Sequence, residues 1–121
     1  MMRKLTIIRT SAYGLAVMGV VHIVATFTPV ISAKLAPLAE GMRGSVIYFS
    51  LMCGALLILG GLLTAMLASK LRDYPFLRKP YLLTIVVMAL DGGLAVCRIP
   101  HNPCAWMILA LSLPLLAVRC K

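Results

Sequence analysis

The chain has 121 residues, of which 62% are hydrophobic and 12% charged, with a mean hydropathy of +1.02. A soluble domain of this size carries roughly 25% charged residues and under half apolar ones, so a single small core cannot bury the apolar excess. Twelve Lys and Arg against three acids give a net charge of +9, yet these cations sit at the ends of apolar runs and form no stripe among aromatics. A soluble enzyme, a nucleic-acid module and a secreted disulfide scaffold are excluded. Lipid is the expected solvent.

Four stretches approach the roughly 20 apolar residues that a helix needs to cross a bilayer core. The first runs from about Ile8 to Ile31 and is interrupted by Arg9 and His22. Its basic start resembles the n-region of a signal peptide, but the apolar run is longer than an h-region and holds a histidine, so a retained helix is expected. The second, about Ser45 to Ala68, has no charge, and the third, about Tyr81 to Cys97, contains Asp91. The fourth, about Cys104 to Val118, is short and calls for local thinning or little tilt. Pro114 lies inside it and predicts a kink or an early end, whereas Pro29, Pro37, Pro80, Pro100 and Pro103 fall near helix ends. The expected fold is all-α: a single domain forming an integral membrane up-down four-helix bundle.

Orientation follows from the cations. The N-terminus (Arg3, Lys4, Arg9), the middle loop (Lys70, Arg72, Arg78, Lys79) and the C-terminus (Arg119, Lys121) hold nine of them. The other two connections hold three, Lys34, Arg43 and Arg98. The positive-inside rule then puts both termini in the cytoplasm. Small residues four apart recur as Ala12/Ala16, Ser50/Gly54, Gly61/Ala65 and Ala89/Gly93. Such spacing lets helix backbones approach closely in lipid, although membrane helices are rich in Gly and Ala in any case.

Ionisable groups inside a membrane are costly and face a protein interior or a cavity. His22 lies about 21 Å along the first span from its cytoplasmic end, and Asp91 about 15 Å along the third, both near mid-depth. A His–Asp contact is geometrically open to them. Ser11, Met18, His22, Thr26 and Pro29 lie near one stripe of the first helix; Thr84, Met88, Asp91, Ala95 and Arg98 share one on the third. His22, Thr26, Asp91 and Arg98 therefore form a candidate polar track opening outward, as an amphiphile-binding pocket or a proton-sensitive site. The alternative is a structural lock, with His22 bonded to a carbonyl or hydroxyl and Asp91 paired for helix register.

Cys97 and Cys104 bracket the loop Arg98-Ile99-Pro100-His101-Asn102-Pro103, where an oxidising compartment would allow a disulfide; free thiols are the other reading. Cys53 is placed mid-membrane and Cys120 on the cytoplasmic side. There is no Cys-x-x-Cys pair of the kind used by thiol oxidoreductases. Cys97, His101 and Cys104 make a weak soft-metal set, and bis-histidine haem ligation would require two copies of His22 from a dimer. No cofactor or metal is expected. The first helix also lacks the membrane-embedded Glu of the small multidrug transporters.

The runs Gly19-Val20-Val21-His22, Phe27-Thr28-Pro29, Tyr48-Phe49-Ser50-Leu51-Met52-Cys53-Gly54 with Gly60-Gly61, and Pro100-His101-Asn102-Pro103-Cys104-Ala105-Trp106 resemble a family of small, uncharacterised bacterial four-helix membrane proteins, loosely akin to the DoxX-like group. The resemblance implies the fold and picks out His22 as its matching polar position; it carries no activity. The expectation is a small multi-pass protein of a bacterial inner membrane with a buried polar site, homo-oligomeric. The alternative is an accessory subunit packed against a larger membrane transporter or redox complex. An enzyme acting on lipid or quinone lacks a nucleophile–base constellation. The partners expected are the bilayer and other membrane protein, with no nucleic acid.

Overall fold

The computed structural model describes residues 2–117. Helix pairs the interior backbone N–H and C=O groups within a segment whose side chains offer no polar partner, and these runs take that solution. Five α-helices follow one another: α1 Met2–Thr26, α2 Pro29–Leu35, α3 Glu40–Lys70, α4 Arg78–Arg98 and α5 Pro103–Ala117, with a 3-10 turn at Pro75–Leu77 before α4. Three helical segments, Arg3–Thr26, Glu40–Lys70 and Pro75–Arg98, are long and apolar enough to cross a membrane. α5 has 15 residues and is about 22 Å long, short of a bilayer core about 30 Å thick. Its helix continues past Pro114 to Ala117. Arg119, Cys120 and Lys121 lie outside the described residues.

The first apolar stretch is not one helix. Pro29 disfavours helical backbone at Thr28, which takes an extended ψ of 151°. Thr28 Oγ1 instead donates to the carbonyl of Ala25 at 2.7 Å, and Pro29 opens the separate seven-residue α2. Proline at the first helical position costs nothing, because that N–H has no partner in any helix.

α1 packs on α3 and α5, and α4 packs on α5 and α3. α1 and α3 are antiparallel: Gly61 faces Ala12 and Ala16, whereas Gly54 faces Gly19 and Ile23. α4 and α5 are antiparallel too, with Gly92 against Ile108 and Leu109 and Met88 against Ser112. Ile8, Leu15, Leu57, Tyr81, Ile85, Ile108 and Leu115 are fully or almost fully buried in the apolar core. It occupies the half of the molecule nearer the start of α1 and the end of α3. The polar side chains described next lie beyond it, toward the opposite end of both helices.

The outside is apolar as well. Val17, Val24, Phe49, Leu83, Leu90 and Leu94 are all exposed. Total accessible surface is 8152 Å², against roughly 6,400 Å² for a compact soluble protein of this mass.

Candidate functional site

Glycine brings α1 and α3 together. A Cβ on Gly19 would stand 2.5 Å from the carbonyl oxygen of Gly54, and one on Gly54 would stand 2.9 Å from that of Gly19. Backbones this close bring short side chains one and two turns further along α1 within reach of α3.

There His22, Thr26 and Ser50 close a hydrogen-bonded ring. Thr26 Oγ1 lies 2.9 Å from the backbone carbonyl of His22 and 2.6 Å from Ser50 Oγ, and Ser50 Oγ lies 3.2 Å from His22 Nε2. Each hydroxyl has a single proton, which fixes the directions. A carbonyl only accepts, so Thr26 donates to it. Ser50 then donates to Thr26, and the remaining bond requires His22 Nε2–H to donate to Ser50. This counting assigns the Nε2–H form of the ring and leaves Nδ1 as the nitrogen with a free lone pair. Thr26 is buried; His22 and Ser50 are half-buried.

Asp91 on α4 is half-buried and within electrostatic reach of both the His22 imidazole and the Cys53 thiol on α3. No hydrogen bond or ion pair links it to either among the described residues. Two of the polar positions expected from sequence, His22 and Thr26, are thus directly joined, and Asp91 faces them through space. Ser50, noticed in the sequence only as a small residue, is the group that links them. Its signal was its place opposite His22, which becomes visible only once the α1–α3 register is known.

Arg98 is not part of this cluster. It lies two turns beyond Asp91, exposed at the end of α4, and lines an open cavity of about 510 Å³ with Lys34 and His101. Cys97 is exposed, Cys104 half-buried, and both carry free thiols. Among the described residues, no group of three or more His, Cys, Asp or Glu is arranged to hold a metal ion. Comparison with known protein families, with characterised proteins and with solved structures finds no match to this chain.

Proposed function

We propose that the chain is a multi-pass protein of a bacterial inner membrane whose half-buried His22–Ser50–Thr26 ring, faced by Asp91, responds to protons. α1, α3, α4 and α5 form a four-helix transmembrane bundle, and the distribution of Lys and Arg supports cytoplasmic termini. The observation carrying this reading is the ring itself. Titratable and hydroxyl groups on apolar helices are expensive unless satisfied, and here, over the last turn of α1, they are satisfied with one proton site left over.

The ring dictates how a proton would act. Nε2–H is already committed to Ser50, so a proton enters at Nδ1. The three hydrogen bonds survive this step, and the change is one of charge alone: an imidazolium replaces a neutral ring opposite Asp91. A charge change between α1 and α4 then biases how α4 sits against α3, which is already locked to α1 by glycines.

The test is nitrogen-15 NMR of the protein in lipid nanodiscs between pH 5 and 8. The chain has two histidines, so His101→Gln leaves His22 as the single imidazole signal. As the pH falls the His22 signals should show Nε2 still protonated and a second proton added at Nδ1, and this change should differ in Asp91→Asn. A His22 signal that is flat across the range, or indifferent to Asp91→Asn, contradicts the proposal.

One observation favours a second reading, an accessory subunit docked on a larger membrane complex. A Cβ on Gly93 would meet nothing within 4 Å, which leaves α4 a bare patch between exposed Leu90 and Leu94 that a neighbouring helix can approach closely. Purification in mild detergent separates the readings: a defined homo-oligomer supports the first, stoichiometric recovery of a larger partner the second.

A further inference from the structure

The connections α1–α3 and α4–α5 hold three of the chain's twelve cations, Lys34, Arg43 and Arg98. Arg43 has a structural task. Its Nη2 donates to the carbonyls of Ala36 at 3.1 Å and Leu38 at 3.3 Å, holding the turn after α2. Lys34 and Arg98 make no hydrogen bond or ion pair among the described residues. They nevertheless converge, from α2 and the end of α4, on a shared cavity of about 510 Å³ that His101 also lines. None of the chain's three acids lines it. Two like charges gathered without a counter-charge repel each other, and an anion between them removes that cost.

The cavity's rim is pinned. Trp106 Nε1 donates to the carbonyl of Pro100 at 2.8 Å, Asn102 N to the carbonyl of Ile99 at 3.0 Å, and Cys104 N to Asn102 Oδ1 at 3.0 Å. Ile31, Ile99 and Pro100 give it an apolar wall beside the cations. A volume of this size exceeds what a bare inorganic anion fills and falls in the range of small-molecule sites.

We propose that this cavity binds a phosphate ester, the phosphate held between Arg98 and Lys34 with His101 as a further donor and the attached carbon skeleton against the apolar wall. Arginine offers phosphate a planar two-pronged donor and lysine a point charge, a pairing suited to a tetrahedral oxyanion. The ester is either the head group of a membrane lipid or a soluble phosphorylated molecule. This site is separate from the His22 ring, and neither depends on the other.

Trp106 is the chain's single tryptophan and is hydrogen-bonded to the cavity rim, so its fluorescence reports occupancy. The full chain in phosphatidylcholine nanodiscs is titrated with dihexanoyl phosphatidate and, separately, with glycerol 3-phosphate. A saturable change with phosphatidate alone identifies a lipid head group; an equal response to both identifies a soluble ester. In either case Lys34→Gln/Arg98→Gln should weaken binding about a hundredfold, about tenfold for each charge-assisted contact removed. Lys70→Gln, at the opposite end of α3, should leave it unchanged. No saturable response to either compound, equal binding by the double variant, or equal loss in Lys70→Gln overturns the proposal.

Discussion

Ser50 shows how much one hydroxyl can organise. It accepts from His22 and donates to Thr26, so Ser50→Ala leaves an Nε2–H without an acceptor and Thr26 short of a donor. The expected cost is about 0.5–2 kcal/mol of stability, read as a lower unfolding midpoint in detergent. The nitrogen-15 spectrum should also lose its preference for the Nε2–H tautomer; unchanged stability and an unchanged tautomer would refute the ring. Thr64 presents the opposite case. It is fully buried and its Oγ1 has no partner among the described residues, so Thr64→Val, which keeps the shape and removes the hydroxyl, should raise stability by about 1 kcal/mol. A destabilised Thr64→Val would show that the hydroxyl has a partner after all. His22 and Asp91 were legible in the sequence because an ionisable group stands out in an apolar run. Thr26 was legible because it lies one turn from His22. Ser50 was not, since serine is unremarkable in a helix until its cross-helix neighbour is known. Arg98 was assigned to the Asp91 stripe by its seven-residue spacing. Two turns of rise are about 10 Å, which carries its side chain to the α4–α5 loop and away from the ring.

At the scale of elements, the α1–α3 seam controls the site. A Cβ on Gly61 would collide with the carbonyl oxygen of Ala12 and stand 2.8 Å from the backbone nitrogen of Ala16. Backbone cannot rotate aside, so Gly61→Ala must part the two helices, at a cost of about 1–3 kcal/mol. Gly93→Ala meets open space and should not lower stability at all. Thermal unfolding of the two variants side by side checks this; similar losses in both would mean that the seam is not where the structure puts it. The small-residue spacing was visible in sequence, but spacing alone could not say which pairs meet a partner. Ala12/Ala16, Ser50/Gly54 and Gly61/Ala65 all lie on the α1–α3 seam, while Ala89/Gly93 reaches open surface at Gly93. The division of the first apolar stretch at Phe27-Thr28 was also masked, because hydropathy runs on unbroken through Pro29 into α2. Proline chemistry, not hydropathy, ends that helix.

For the whole molecule, apolar composition translates into apolar surface. Leu83, Leu90, Leu94 and Phe49 remain exposed after every described helix has packed, and in water such a surface would drive aggregation. In a bilayer it is the ordinary boundary with lipid. The charge pattern then predicts that reporter fusions at the two ends of the chain both read as cytoplasmic. Depth is the more direct measurement, because it tests whether the helices that carry the His22 ring lie within lipid. Spin labels at Val20 on α1 and Val87 on α4, both exposed, are compared with one at Phe76, in the turn before α4, by power-saturation EPR of the reconstituted protein. Oxygen, concentrated in hydrocarbon, should relax the labels at 20 and 87 strongly while a water-soluble nickel chelate barely touches them, and the label at 76 should show the reverse. Nickel relaxing all three labels alike would place α1 and α4 in water, and the account of a polar ring held inside a membrane would fail.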